Sequence, residues 1–162
     1  MPLLFVALAV LPALASADGK ARRWACTGAE RVLFDNTNAA LVGNGGQRPT
    51  FNTLGKTFCV TSVQTYHWNN GKGAAAPGFV GLTATSASLG GPGPVGFWKA
   101  TASSAGEGVP NAIWRVTLPR ETPLVIRGTY SCSDSAPGTW SQNQASAGLG
   151  FCVVVGMPAV AR

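Results

Sequence analysis

The stretch Leu124–Cys132, LVIRGTYSC, decides the fold class. Leu124, Ile126, Tyr130 and Cys132 share one parity with Gly128 between them, while Val125, Arg127, Thr129 and Ser131 take the other. Side chains along a strand alternate with a period of two, so the segment predicts one strand with a core face and a mostly solvated face, Cys132 pointing inward. Asn111–Leu118, NAIWRVTL, repeats the pattern: Ala112, Trp114, Val116 and Leu118 lie opposite Ile113, Arg115 and Thr117. Trp114 is therefore expected in the core.

Outward from these two segments, further strands are expected at Val32–Asp35, Phe58–Tyr66, Phe79–Thr85, Val95–Thr101 and Phe151–Val155. They are separated by APG, GGPGP, GEGVPN, LPRETP, SAPG and SAGLG, short breakers that read as turns within one domain and not as a linker between two. Gly and Pro recur throughout and no long apolar repeat of 3.6 residues is free of them, so helix signals are nearly absent. Short strands at this spacing predict an all-β, single-domain antiparallel β-sandwich, jelly-roll-like in type. The longest polar, Gly-rich segment is Thr37–Thr50, and its composition alone does not distinguish a functional loop from a mobile one.

Residues 1–17, MPLLFVALAVLPALASA, run apolar and end on the small residues Ala15-Ser16-Ala17, which reads as a signal peptide cut before Asp18, although a positive n-region is missing. The apolar run is too short to span a bilayer. The expected organisation is a signal peptide at 1–17, a lead-in at 18–31, the sandwich at 32–156 and a tail at 157–162. A secreted or periplasmic location follows. Cys26, Cys59, Cys132 and Cys152 make an even set, which in an exported chain predicts two disulfides stapling the sandwich. Three pairings are open; neighbouring predicted strands favour Cys26–Cys59 with Cys132–Cys152.

The formal net charge is +6. The basic residues are dispersed, with Arg22-Arg23 the only adjacent pair, whereas a nucleic-acid binder clusters them on one face or stripe. No nucleic-acid partner is expected. A mild cationic field remains compatible with an anionic wall polymer or polysaccharide.

Two segments gather aromatic and hydrogen-bonding groups. Thr65–Gly73, TYHWNNGKG, holds the one histidine of the chain. It sits where a predicted strand gives way to an Asn-Gly turn. Asp134–Asn143, DSAPGTWSQN, repeats the chemistry with Trp140, Ser141, Gln142 and Asn143. A sugar ring has an apolar C–H face and an edge of hydroxyls, so an aromatic plate beside amides and hydroxyls suits it. The expected binding rim is Tyr66, His67, Trp68, Asn69, Asn70, Lys72, Asp134, Trp140, Ser141 and Asn143. Trp68 and Trp140 would stack, and Lys72 would favour an anionic substituent. The competing reading makes these loops turn caps and packed lids. Trp98 in GFWKA, Gly96–Ala100, is open to either face, and Trp24 is expected as a packing contact beside Cys26.

VLFDN at Val32–Asn36, PTF at Pro49–Phe51, TYHWNNGKG, PG at Pro77–Gly78, FWKA, GVPNAIW at Gly108–Trp114, DSAPGTWSQN and GLGF at Gly148–Phe151 resemble, in order and spacing, an uncharacterised family of bacterial exported β-rich modules. The resemblance runs from about Val32 to Gly156, a domain-sized span. It implies a compact extracellular β-domain and brings no activity or catalytic residue. Family members often read GPW where this chain has GFW, and an acid where it has Ala136, so a cation or acidic site around Asp134 does not carry over.

Enzyme readings are tested by what they need. No G-x-S-x-G elbow accompanies His67. A glycosidase needs two flanking carboxyl groups, and Asp35 and Asp134 are the best placed, although Asp at strand ends commonly caps turns. No transition-metal constellation is present and no cofactor is expected; a structural Ca²⁺ on Asp35, Asn36 or Asp134 would leave little trace and is not expected either. The sequence points to a non-catalytic secreted module that recognises a glycan or envelope polymer. The alternatives are a protein-interaction or inhibitor domain and a small extracellular hydrolase using His67 or the aspartates.

Overall fold

The computed structural model describes residues 24–85 and 88–162; the expected signal peptide at 1–17 lies outside them. Among the described residues eleven strands form two antiparallel sheets packed as a sandwich. The first sheet has β1 (Trp24–Cys26), β2 (Arg31–Asp35), β4 (Phe58–Tyr66), β7 (Thr101–Ser103), β8 (Ile113–Thr117), β9 (Leu124–Ile126) and β11 (Cys152–Ala161). Its main path runs β1-β11-β4-β8-β7, with β2 also on β11 and β9 also on β4. The second sheet is β3 (Thr50–Asn52), β10 (Thr129–Asp134), β5 (Phe79–Ala84) and β6 (Gly93–Lys99), in the order β3-β10-β5-β6.

The alternation read from NAIWRVTL holds: Trp114, Val116 and Leu118 are buried and Arg115 and Thr117 exposed. From the first sheet Val60, Val63, Trp114, Ile126 and Val154 meet Phe51, Val80, Leu82 and Tyr130 of the second. Removal of this apolar surface from water is the main stabilising term, roughly 1.5–3 kcal/mol for each large side chain.

LVIRGTYSC is not one strand. It breaks at Arg127–Gly128, where Gly128 has φ 114°, so that β9 lies in the first sheet and β10 in the second. Tyr130 fastens the corner: its hydroxyl accepts from the Arg127 N–H at 3.0 Å and donates to the Arg127 carbonyl at 3.2 Å. Ile126, Tyr130 and Cys132 are buried as their parity required, but Ser131 of the opposite parity is buried as well, so the face of β10 expected to be solvated is covered. Val95–Thr101 divides in the same way at Ala100, where the chain leaves β6 of the second sheet and becomes β7 of the first.

The sandwich is also wider than 32–156. Trp24–Cys26 of the expected lead-in pairs with the expected tail, Trp24 opposite Ala161 and Cys26 opposite Ala159. Disulfides join Cys26 to Cys59 and Cys132 to Cys152. The first spans β11 on the outer face of its sheet, in a small cluster with Met157 and Ala159; the second ties β10 to β11 across the core. No helix among the described residues is long and apolar enough to cross a membrane.

Candidate functional site

TYHWNNGKG and DSAPGTWSQN come together at one end of the sandwich. β4 ends at Tyr66, whose carbonyl accepts from the Ser141 N–H at 2.8 Å. The next residue, His67, turns inward, and its ring stacks on Trp114 at 3.8 Å between centroids. Its Nε2 lies 3.1 Å from Asp134 Oδ2 and its Nδ1 3.0 Å from Thr139 Oγ1. Thr65 Oγ1 donates to the same carboxylate oxygen at 2.6 Å, and the Ala136 N–H donates to Asp134 Oδ1 at 2.7 Å. A proton on Nε2 matches the carboxylate, and the Thr139 hydroxyl beside Nδ1 also lies 3.3 Å from the Ala136 carbonyl, to which it donates.

The same accounting explains the neighbouring residues. Trp140 donates its indole N–H to the Phe151 carbonyl at 2.9 Å and lies across Gly150. Ser141 Oγ accepts from the Trp68 N–H at 2.7 Å. Asn143 accepts from the Ser146 N–H at 2.9 Å and exchanges amide hydrogen bonds with Asn38. The Gly-rich segment 37–50 is held in turn: the Gly43 N–H reaches the Gln142 carbonyl at 2.7 Å and the Gly46 N–H the Trp140 carbonyl at 2.9 Å.

The structure therefore divides the expected rim. His67, Asp134, Trp140, Ser141 and Asn143 are buried, because each has its polar atoms matched inside the protein, and they form a scaffold beneath the surface in place of the contact face expected of them. Tyr66 is half-buried and stacks on Phe151, with ring centroids 6.4 Å apart. What faces outward is the turn above: Trp68 and Asn69 half-buried, Asn70 and Lys72 exposed.

That turn explains Asn-Asn-Gly. Asn69, Asn70 and Gly71 have φ of 48°, 56° and 77°, left-handed values that Asn and Gly tolerate best. Asn69 Nδ2 donates to the Gly73 carbonyl at 2.9 Å, and Asn44 Nδ2 donates to Asn69 Oδ1 at 3.2 Å. Asn44 Oδ1 is buried at the base of the turn without a hydrogen-bond partner. Trp24 and Trp98 pack against apolar clusters and Trp114 and Trp140 lie within one, whereas Trp68 belongs to neither cluster.

The two aspartates considered for catalysis both close short turns. Asp35 Oδ1 accepts from the Thr37 N–H at 2.8 Å and from its hydroxyl at 2.7 Å, and Asp134 accepts from the Ala136 N–H two residues on. Among the described residues no three His, Cys, Asp or Glu side chains gather as metal ligands.

The sequence left GFWKA without a face. Phe97 points out, 51% exposed, and its ring stacks on Phe79 at 5.6 Å; Trp98 points in, across Gly96. Their opposite parity signalled opposite faces, but which face was which depended on the pairing of β6 with β5. The chain matches no protein-family model, no curated protein and no solved structure.

Proposed function

We propose that this protein is an exported, non-catalytic binding module whose Trp68–Lys72 turn contacts a carbohydrate or cell-envelope polymer. The observation that carries the reading is the position of Trp68: an indole outside both apolar clusters, above a buried serine that fixes its backbone. A flat group held in place before binding loses little entropy on contact, and Asn70 and Lys72 beside it supply donors and an acceptor for sugar hydroxyls or an anionic substituent. Export is supported by the two disulfides, which persist in oxidising compartments. Binding is favoured over hydrolysis because His67 is fully buried and its two ring nitrogens face Asp134, Thr65 and Thr139.

The test is a screen of glycans and wall polymers against the oxidised protein, read by tryptophan emission, with Trp68→Ala alongside. A ligand that shifts the emission of the parent and not of the folded variant is the expected result. Unchanged binding in Trp68→Ala, or release of cleaved product from any glycan, would overturn the reading.

A further inference from the structure

The end of the sandwich opposite the Trp68 turn is built from three loops. From that turn β4 runs back nine residues to Phe58, about 27 Å at about 3.4 Å per residue. There the β3–β4 turn, the Arg127–Gly128 corner and the segment that follows β5 meet. The Thr53 N–H donates to the Gly128 carbonyl at 2.9 Å and the Gly128 N–H to Thr53 Oγ1 at 2.8 Å; on the other side of the corner the Leu89 N–H donates to the Arg127 carbonyl at 2.8 Å.

The first loop holds an apolar side chain where the backbone least favours one. The Lys56 N–H reaches the Thr53 carbonyl at 3.1 Å, closing a turn whose two central residues, Leu54 and Gly55, have φ of 52° and 74°. Turns with positive φ at both centres are dominated by Asn, Asp and Gly, and a bulky residue there is an outlier that the surrounding structure must hold in place. Asn52 does so, its Oδ1 accepting from the Leu54 N–H at 2.6 Å. Leu54 belongs to neither apolar cluster and is 82% exposed, so packing does not account for a leucine here. Leu89 across the corner is exposed as well, and exposed Val32 shares with Leu54 the rim of a hollow lined by Phe51 and Phe58.

The charges beside these side chains are of one sign. Lys56 and Arg127 are exposed, and neither the ammonium nor the guanidinium has a hydrogen-bond or ionic partner among the described residues. No acidic residue occurs in 50–60, 85–93 or 122–133. Apolar side chains on protruding turns, with unpaired cations next to them, complement an anionic bilayer: the leucines enter the acyl boundary while the cations stay at the phosphates. A protein hot spot is instead rich in aromatic anchors, and none of the exposed apolar side chains here is aromatic.

We infer that this end docks on an anionic phospholipid surface through Leu54, Leu89, Lys56 and Arg127. Docked in this way, the module holds the Trp68 turn away from the bilayer. The inference does not depend on the carbohydrate reading and uses none of its residues.

The experiment is co-sedimentation of the oxidised protein with vesicles of phosphatidylglycerol and phosphatidylcholine in equal parts, and with vesicles of phosphatidylcholine alone. The expected result is retention on the mixed vesicles only. Retention should fall at least tenfold in Lys56→Gln/Arg127→Gln and at least fivefold in Leu54→Asn, whose melting temperature should equal or exceed that of the parent because Asn suits the turn. Arg48→Gln/Arg115→Gln, which removes the same charge from exposed positions elsewhere, and Trp68→Ala should each change it less than twofold. Leu89→Ser repeats the apolar arm if Leu54→Asn melts below the parent. No retention on the mixed vesicles, or retention that both leucine variants leave unchanged, would overturn the inference. Equal loss in the two double variants, or equal affinity for polyglutamate, would reduce the effect to the overall field and overturn it too. Loss in Trp68→Ala with none in the leucine variants would place the contact at the opposite end, with the same consequence.

Discussion

His67 Nε2 lies 3.1 Å from Asp134 Oδ2, with both side chains fully out of solvent. The pair joins the end of β4 in one sheet to the end of β10 in the other, and Thr65 and Thr139 complete its hydrogen bonds. A carboxylate buried in this way is tolerated only while its partners remain. His67→Ala or Asp134→Ala should therefore lower unfolding free energy by about 3–5 kcal/mol, and Thr65→Val by about 1–3 kcal/mol. Urea titrations check this; a change under about 0.5 kcal/mol, typical of a surface substitution, would mean that the pair is not a strut.

The two signature tryptophans should differ in their cost. Trp140→Ala removes a buried ring and orphans the Phe151 carbonyl, for an expected loss of about 3–5 kcal/mol. Trp68→Ala removes a half-buried ring outside the apolar clusters and should cost less, about 1–2 kcal/mol. Ser141→Ala leaves the Trp68 N–H without its acceptor and should cost about 1–3 kcal/mol, while altering the emission of Trp68. Thermal melts of the three variants make the comparison.

Aromatic rings lying on glycines make a sharp prediction about methyl groups. A Cβ at Gly150 would lie 2.3 Å from the Trp140 ring, and one at Gly78 2.8 Å from the Trp114 ring and 2.1 Å from Ser135 Oγ. Gly150→Ala and Gly78→Ala should each destabilise by about 1–3 kcal/mol through overpacking. Gly138, with nothing within 4 Å of its Cβ, should accept Ala within about 0.5 kcal/mol. Calorimetry of the three variants separates crowding from a general need for glycine.

The disulfides close segments of 33 and 20 residues. Chain entropy alone assigns them similar values, about 3–4 kcal/mol each. Cys132–Cys152 is also part of the main core, so Cys132→Ala/Cys152→Ala should cost more than Cys26→Ala/Cys59→Ala. Equal losses in guanidinium titrations would mean that cross-linking alone matters and packing of the sulfurs does not.

Much of the fold was legible in period-two alternation. Phe58–Tyr66 is a strand with the boundaries read from sequence, and Trp114 and Cys132 point inward as their parity required. The break at Gly128 was not legible, because a corner that preserves parity leaves no mark in an alternating pattern. Nor was the pairing of Trp24–Cys26 with the far end of β11, since a three-residue edge strand has too few positions to show a period.

The candidate site was half legible. TYHWNNGKG and TWSQN were recognised as unusual and do meet, and the left-handed Asn-Asn-Gly turn follows from residue type. The direction of each side chain did not follow: beyond a strand end alternation stops, and His67 and Trp68 are neighbours in sequence that face opposite ways.

The sequence by itself determined most of the strand content, the inward face of β8 and the turn chemistry, because these depend on local sterics and on the spacing of apolar groups. Only the tertiary structure decided that His67, Asp134 and Trp140 are scaffold and that Trp68 stands clear of the core. Burial of a polar side chain depends on whether a partner arrives from far along the chain: Asp134 for His67, 67 residues away, and the Phe151 carbonyl for Trp140. No local pattern records that arrival.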